Sequence, residues 1–275
     1  MIMFADDTNL FLTGKSLSDI EKQMNEELVI INSWFQTNLL SLNISKTSYM
    51  IFGKKTHQDV NLKIEHYTLN RQYDTKFLGV ILSANLTWKK HIEIILSKTS
   101  KNIGIICKIR HLLPLNLTRL LYQTLVEPYM YYCNLVWASP EKTTPLEKIL
   151  KVQKKYCRIL TFSDYTAHTG PLFRKLNILT IYQIYKYQLG CYMYKILNNY
   201  LPRLDHQLFV PNSSLHIYNT RQRDHLHTFH CRTKCRQNTI NYQGPKLWNE
   251  LPIELKSVPS IYIFKRHFKI ALLKG

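Results

Sequence analysis

Two adjacent carboxylates, Asp6 and Asp7, stand between two short apolar runs, Ile2–Phe4 and Leu10–Leu12. Like charges this close repel each other unless a cation neutralises them. Hard divalent cations such as Mg²⁺ take oxygen ligands and need few protein carboxylates, which leaves positions for phosphate oxygens. Carboxylates paired in this way can serve two-metal phosphoryl transfer. The alternative is an exposed turn, in which Asp is favoured because its side chain bonds the local backbone.

A hairpin is the element that would present these carboxylates. We expect Ile2–Phe4 to enter as a strand, Ala5-Asp6-Asp7 to turn, and Leu10–Leu12 to leave as a strand. A long amphipathic helix follows, because apolar residues recur at spacings of three and four from Leu17 to Phe35. Ser18 with Glu21 fits a capping box at its start. Three strand-like runs come next, at 47–52, 62–69 and 76–82.

From Trp88 onward the apolar period becomes helical. It predicts a first helix that stops at Pro114, then helices over about 117–138 with a kink at Pro128, 145–160 and 180–198, and a last helix capped by Ser260. Residues 202–258 are expected to be irregular because proline recurs there. The predicted fold class is α+β, predominantly helical.

The charge of the chain is strongly basic and unevenly distributed. Lys and Arg number 37 against 18 Asp and Glu, a net charge of +19. Residues 1–50 carry −3, so the remaining 225 residues carry +22. Such a field favours polyanions, and nucleic acid is the commonest one. A membrane surface is an alternative partner, but no basic amphipathic helix or lipidation signal supports it. The charge is also compatible with a solvated surface that binds no partner.

Targeting and redox features point to the inside of the cell. No apolar run reaches the eighteen or so residues of a membrane span. The N-terminus lacks the basic region of a secretory signal and reaches Asp6 within six residues. Six cysteines are spread mostly singly through apolar segments, which predicts reduced thiols.

Several motifs together resemble one polymerase family. Phe4-Ala5-Asp6-Asp7-Thr8 resembles the aromatic-X-Asp-Asp box of reverse transcriptases, and Leu42–Thr47 resembles the next palm motif of non-LTR (LINE-type) retrotransposon polymerases. Lys76–Val80 resembles their primer-grip segment. The likeness to the jockey-like clade continues through further segments, namely Leu86–Trp88, His91-Ile92, Leu121-Tyr122, Pro128-Tyr129, Trp137, Tyr218–Arg221, Tyr242–Asn249 and Leu251-Pro252.

This resemblance implies only the C-terminal part of such a polymerase, because the family brings its first metal-binding Asp from an earlier palm strand. It implies the end of the palm at 1–85, a helical thumb at 86–162 and a C-terminal extension at 163–275. The full enzyme would be an RNA-directed DNA polymerase that uses Mg²⁺, an RNA template and a DNA primer in the nucleus and cytoplasm. We expect this chain alone to be catalytically inactive. The alternatives are a basic nucleic-acid-binding module and a non-functional transposon remnant.

The resemblance also assigns roles to residues. Asp6 and Asp7 would hold metal, and Lys46 would lie near the leaving pyrophosphate, although a plain surface lysine would look the same. Phe77, Leu78 and Gly79 would contact the primer backbone, a role compatible with an ordinary buried strand. The thumb would offer cations to the nucleic-acid backbone, or a solvated helix face, through Lys89, Lys90, Lys98, Lys101, Lys108 and Arg110. A second basic face is expected at Lys151, Lys154, Lys155 and Arg158.

Two further segments allow a structural or a functional interpretation. His225, His227, His230, Cys231 and Cys235 lie within eleven residues, which suits zinc, but the paired Cys-x₂-Cys half-site is missing. A basic loop with incidental His and Cys is therefore the preferred interpretation. Gly244-Pro245 is expected to form a turn next to Trp248, a buried aromatic anchor.

Overall fold

The computed structural model describes residues 1–53, 58–141, 143–202, 208–215 and 222–274. They form two compact units, Met1–Lys90 (unit 1) and His91–Gly275 (unit 2). The described residues are mainly helical with small two-stranded sheets, which is compatible with the predicted α+β, predominantly helical class. The expected division at 1–85, 86–162 and 163–275 stays a prediction. No described helix combines the length and the hydropathy that crossing a bilayer requires.

Unit 1 contains short strands that pair two by two, together with one long helix. The paired strands are β1 (Ile2–Phe4) with β2 (Asp7–Asn9), β3 (Ser48–Tyr49) with β6 (Asn70–Arg71), β4 (Lys63–Ile64) with β5 (Tyr67–Thr68), and β7 (Asp74–Phe77) with β8 (Val80–Ser83). The β3–β6 pair is parallel and the others are antiparallel. Helix α1 spans Leu17–Thr37, and a 3-10 turn covers Ile44–Lys46.

Helix α1 is anchored to the strands by both polar and apolar contacts. Asn25 donates to the Asn61 carbonyl at 3.0 Å and accepts from the Lys63 amide at 2.9 Å. Leu28 is the buried residue of the helix, and it joins a core of Val60, Leu62, Ile64 and Leu69. The N-cap is Ser16, whose hydroxyl accepts from the Asp19 amide at 3.1 Å, so the predicted cap at Ser18 is two residues too late.

Two of the predicted strand runs are hairpins. Residues 62–69 fold back at Glu65, and residues 76–82 fold back at Leu78 and Gly79. All three residues have positive φ angles, of 55°, 44° and 84°. Glu and Leu rarely adopt this region, so Gly79, a residue typical of turns, is the one local signal for either reversal. The first hairpin forms as predicted, but its return strand begins at Asp7 and ends at Asn9, before the expected run 10–12.

Unit 2 is helical among its described residues. Helix α2 (Lys89–Ile109) starts at the last two residues of unit 1. The later helices are α3 (Leu115–Leu125), α4 (Glu127–Tyr131), α5 (Asn134–Trp137), α6 (Thr144–Thr161), α7 (Thr169–Leu176), α8 (Ile181–Leu197), α9 (Lys234–Gln237), α10 (Ile240–Glu250), α11 (Ile253–Lys256) and α12 (Ile261–Lys274). The single helix predicted over 117–138, with a kink at Pro128, is in fact three helices. The chain breaks at Val126 before Pro128, and again at Cys133, whose φ is 48°.

A buried glutamine joins three helices at the centre of unit 2. Gln153 on α6 donates to the Tyr122 hydroxyl of α3 at 3.3 Å and accepts from the Ile181 amide of α8 at 2.8 Å. Tyr156 stacks on Tyr122 with ring centroids 4.1 Å apart. Because a buried amide must satisfy its hydrogen bonds, this network fixes how α3, α6 and α8 pack.

Helix α8 also carries the C-terminal helices. Gly244 of α10 lies so close to it that a Cβ would come within 2.6 Å of the Met193 sulfur. Gly244 and Pro245 are helical in α10 and do not form the expected turn, because packing against α8 outweighs their poor helix propensity. Trp248 is buried as predicted. Ser260 precedes α12 and accepts from the Ile263 amide at 3.4 Å, as expected of its cap.

Candidate nucleic-acid interface

The paired carboxylates lie at the tip of the β1–β2 hairpin. Phe4 pairs with Asp7, so Ala5 and Asp6 make the two-residue turn, and Ala5 has a φ of 52°. Asp6 and Asp7 are both exposed. Two carboxylates suit Mg²⁺ as a donor set when phosphate or water oxygens complete its shell. Within the described residues no third His, Cys, Asp or Glu gathers into a metal-binding group with them.

The primer-grip-like segment is the tip of the β7–β8 hairpin. Phe77 pairs with Val80 across it, and Leu78-Gly79 form the turn. Phe77 and Leu78 are half-buried and Gly79 is exposed. The Phe77 ring meets Phe11 edge-on, with centroids 6.5 Å apart. Since Phe11 follows β2, this contact brings the segment beside the chain that leaves the carboxylate hairpin.

Lys46 ends a 3-10 turn whose N-cap is Asn43. The Asn43 side chain accepts from the Lys46 amide at 3.3 Å, and the lysine side chain is exposed. No hydrogen bond or ion pair joins Lys46 to Asp6 or Asp7 in the described part of the chain. The Lys46 side chain is therefore exposed to solvent, and the structure does not place it in a cluster with Asp6 and Asp7.

Lys90 of α2 is held by the β7–β8 hairpin. Its ammonium lies 2.6 Å from Asp74, which also accepts from the Ser83 hydroxyl at 2.6 Å. These two hydrogen bonds lower the pKa of the Asp74 carboxyl, and the bond from Lys90 has the larger effect. Lys90 is thus already paired with an acid within unit 1, while its neighbour Lys89 is exposed.

Helix α2 presents a lysine face opposite its buried stripe. Its buried residues include Ile92, Ile95, Thr99, Ile103 and Ile106. Lys101 and Lys108 are two turns apart, and Lys98 is three residues before Lys101, so the three share the outer face. They are exposed, and no acid lies within ion-pair distance of them in the described residues. We call Lys98, Lys101 and Lys108 the α2 lysine face.

The α2 lysine face is not crowded at Gly104. Gly104 lies between Lys101 and Lys108, and a Cβ there would meet no atom within 4 Å. The Lys98 ammonium lies 5.3 Å from the centre of the Tyr129 ring. That cation–π contact positions Lys98 while it stays exposed.

Arg110 is half-buried and contacts the end of α6. Its guanidinium donates to the Ile159 carbonyl in the last turn of α6 and lies 4.4 Å from the centre of the Phe162 ring. It therefore caps the C-terminal end of α6. Arg110 differs in this respect from the α2 lysine face.

Helix α6 adds a second basic face. Lys151, Lys154, Lys155 and Arg158 follow a three- and four-residue spacing, opposite a buried face that includes Ile149. Unit 2 holds 27 Lys and Arg against nine Asp and Glu, a net charge of +18. Lys234 with Glu141 at 3.4 Å is the one ion pair between its described residues. The field of unit 2 is therefore largely uncompensated.

Several residues that carry the family resemblance are core residues. Burial lowers the pKa of His91, and its ring lies 5.5 Å from Trp137, edge-on. Tyr122 is completely buried. Asn249 exchanges two hydrogen bonds of 2.9 Å with the backbone of Leu226 and so fixes that strand-like segment to α10. The Tyr218–Arg221 motif lies outside the described residues.

The His- and Cys-rich segment does not form a metal-binding group among the described residues. Cys231 is buried and its thiol donates to the Phe229 carbonyl at 3.4 Å, whereas Cys235 is exposed. The structure thus provides a local partner for Cys231 without a metal ion.

Sequence reasoning missed Phe162 and Tyr165, which follow α6 and project into solvent with 64% and 85% of their surface exposed. The available signal was an aromatic pair directly after the basic run that ends at Arg158.

Comparison with known proteins supports the polymerase resemblance. The chain is 24% identical over 186 residues to a Drosophila melanogaster protein named "Probable RNA-directed DNA polymerase from transposon BS", a match that covers 65% of this chain and 20% of that protein. It is 22% identical over 206 residues to the RNA-directed DNA polymerase from mobile element jockey of the same species, covering 74% of this chain and 21% of the relative. A third D. melanogaster relative, "Probable RNA-directed DNA polymerase from transposon X-element", is 22% identical over 183 residues.

The chain is therefore similar in sequence to RNA-directed DNA polymerases of non-LTR retrotransposons, jockey among them, and the expected resemblance is confirmed. The matches span about a fifth of each relative's length. No family profile and no solved structure matches the chain.

Proposed function

We propose that this chain binds the backbone of a nucleic-acid duplex, as the thumb-like portion of an RNA-directed DNA polymerase of the non-LTR class. Unit 2 would hold an RNA template paired with a DNA primer. The observation that carries the proposal is the α2 lysine face, three exposed lysines without acidic partners in the described residues, in a unit of net charge +18.

The physical basis is counterion release. Each phosphate neutralised by a lysine frees a condensed counterion, so affinity falls with salt by a slope of about 0.9 per phosphate on duplex DNA. Such contacts do not depend on sequence. A polymerase needs this property, because it must hold whatever sequence it has just copied.

Unit 1 would contribute to the same reaction in a different way. Asp6 and Asp7 would hold Mg²⁺, which would neutralise the phosphates of the incoming nucleotide, and the Phe77–Gly79 turn would contact the primer backbone. Lys46 would stabilise the leaving pyrophosphate. Because the described residues gather only two carboxylates at this hairpin, we propose that the chain alone does not polymerise. A nuclear and cytoplasmic location belongs to the same proposal.

A binding titration tests the duplex interface. Fluorescence anisotropy with a labelled 20-bp RNA–DNA hybrid is measured from low to high salt for the wild type and for the triple change Lys98→Glu, Lys101→Glu, Lys108→Glu. A matched control, Lys15→Glu, Lys22→Glu, Lys63→Glu, changes the net charge equally at exposed sites of unit 1. We expect the first triple to weaken binding and to flatten the salt slope by about 2–3, from about 0.9 per lost phosphate contact.

The outcomes separate the alternatives. Absence of saturable binding by the wild type would overturn the proposal and favour a non-functional remnant. Equal loss in both triples would show that net charge alone attracts the hybrid. Primer extension with Mg²⁺ tests the catalytic part, since incorporation above that of an Asp6→Asn, Asp7→Asn variant would contradict the inactivity of the isolated chain.

A further inference from the structure

The loop after α6 presents two aromatic rings, each with an arginine against it. The Arg110 guanidinium lies 4.4 Å from the centre of the Phe162 ring, and the Arg158 guanidinium lies 5.7 Å from the centre of the Tyr165 ring. The rings are nevertheless 64% and 85% exposed. We call Phe162, Tyr165 and their two arginines the aromatic platform.

Hydrogen bonds hold this loop in place without burying the rings. Arg158 donates to the Ala167 carbonyl at 3.0 Å, and the Ala167 amide donates to the Asp164 carbonyl at 3.0 Å. The Thr161 and Ser163 hydroxyls lie 2.7 Å apart. Arg110 donates to the Ile159 carbonyl in the last turn of α6, directly before the loop. The two arginines therefore fix the loop and also pack on the rings that it presents.

The backbone of Phe162 is unfavourable for a bulky side chain. Phe162 is the C-cap of α6 and has a φ of 52°. Helix ends of this kind usually carry Gly or Asn, because a larger side chain is strained there. An exposed phenylalanine gains little from burial, so folding alone does not account for its presence at this position. The surrounding contacts must therefore hold Phe162 in this conformation, and they include the Arg110 guanidinium on its ring.

We propose that the aromatic platform stacks unpaired bases of a single-stranded nucleic acid. Aromatic rings bind single strands by base stacking, and arginines beside them add charge and cation–π attraction. Every base offers a flat face, so the site requires no sequence. This inference rests on the proposed nucleic-acid binding of unit 2 and extends it from duplex backbone to unpaired strand.

Charge decides the class of occupant. The platform's cations, Arg110 and Arg158, are joined on α6 by Lys151, Lys154 and Lys155, while Asp164 is the one acid of the loop 162–168. A polyanion whose bases are free to stack matches both the rings and the surrounding charge. A strand that leaves a duplex held on the α2 lysine face has this chemistry.

Two substitutions remove the rings with little risk to folding. Phe162→Asn suits the positive φ and should preserve or raise the free energy of unfolding, and Tyr165→Ala changes a side chain that is mostly in solvent. Tyr262→Ala on α12 is the matched control, because Tyr262 is 79% exposed without an arginine on its ring among the cation–π contacts of the described residues. Phe162→Trp keeps a stacking surface.

The experiment compares anisotropy titrations of a labelled 20-mer oligothymidylate and of the 20-bp hybrid. We expect each of Phe162→Asn and Tyr165→Ala to weaken single-strand binding about tenfold, as loss of one stacked base does. The affinity of Phe162→Asn and Tyr165→Ala for the hybrid should stay within about twofold of wild type. The same holds for the single-strand affinity of Tyr262→Ala and Phe162→Trp, because a twofold change is too small for a lost stacking contact.

The outcomes distinguish this inference from the proposed function. Unchanged single-strand affinity in both variants, with hybrid binding intact, would overturn the platform and leave the duplex interface standing. Equal losses on both probes would also overturn it, because stacking cannot act on paired bases. A wild type that binds neither probe would refute the proposed function together with the platform.

Discussion

Gly190 of α8 lies against Phe268 of α12, so the substitution Gly190→Ala tests how tightly these two helices pack. A Cβ at this position would lie 2.3 Å from Phe268 Cε1 and 2.9 Å from Cζ of the same ring. Phe268 is 2% exposed and lies against Phe264, so its ring cannot swing aside. Overpacking of this kind costs about 1–3 kcal/mol. The better helix propensity of alanine returns about 1 kcal/mol, which leaves Gly190→Ala destabilising by up to about 2 kcal/mol.

Gly104 is the matched control, because it is also a helical glycine but a Cβ there meets nothing within 4 Å. Gly104→Ala should stabilise by up to about 1 kcal/mol through propensity alone. Urea titration followed by circular dichroism gives the free energy of unfolding of both variants. If Gly190→Ala proves as stable as Gly104→Ala, then α12 does not pack on α8 as described.

Three further predictions concern ionisation, thiols and local stability. Lys90 lowers the pKa of Asp74, so the ion pair stabilises the fold above the usual carboxyl pKa, and this stabilisation is lost as pH falls through the folded-state pKa. Asp74→Asn should therefore lower the free energy of unfolding by about 0.5–1 kcal/mol at pH 7. Urea melts at a pH below the folded-state pKa should show no difference between this variant and the wild type. Burial raises the pKa of Cys157 to about 12, so a thiol reagent should modify exposed Cys235 in the native protein and spare Cys157 until unfolding; equal rates would contradict its burial. Hydrogen exchange should be faster in residues 1–55, where β1 is exposed, than in α8, and the reverse order would contradict a core centred on α8.

Long amphipathic helices were predictable from the sequence because their burial follows a single period. Helices α2, α6 and α8 were expected within a few residues of where they occur. The errors arose where tertiary packing opposes local preference. Gly244-Pro245 signals a turn locally, yet packing of α10 against α8 keeps both residues helical. Helix α7 was missed altogether, since its eight residues are too few to show a period.

The candidate site was predictable where residue type alone identifies it. Adjacent carboxylates at a hairpin tip and lysines spaced along α2 are visible in the sequence, and the structure places them as exposed groups. Gly79 marks a break in the strand run, but the positive φ of Leu78 was not predictable, because leucine seldom adopts it. The contacts of Arg110 and Arg158 with exposed rings depend on where α2 and α6 end relative to the following loop. No local pattern encodes that arrangement.

The central claim, that the α2 lysine face holds a duplex backbone, can be tested residue by residue by acetylation footprinting. The full chain is treated briefly with an acetylating reagent with and without a 20-bp RNA–DNA hybrid, and each lysine is quantified by mass spectrometry. The account predicts that the hybrid protects Lys98, Lys101 and Lys108 while exposed Lys15, Lys22 and Lys63 of unit 1 react as before. Equal acetylation of the α2 lysine face with and without a saturating hybrid would contradict it.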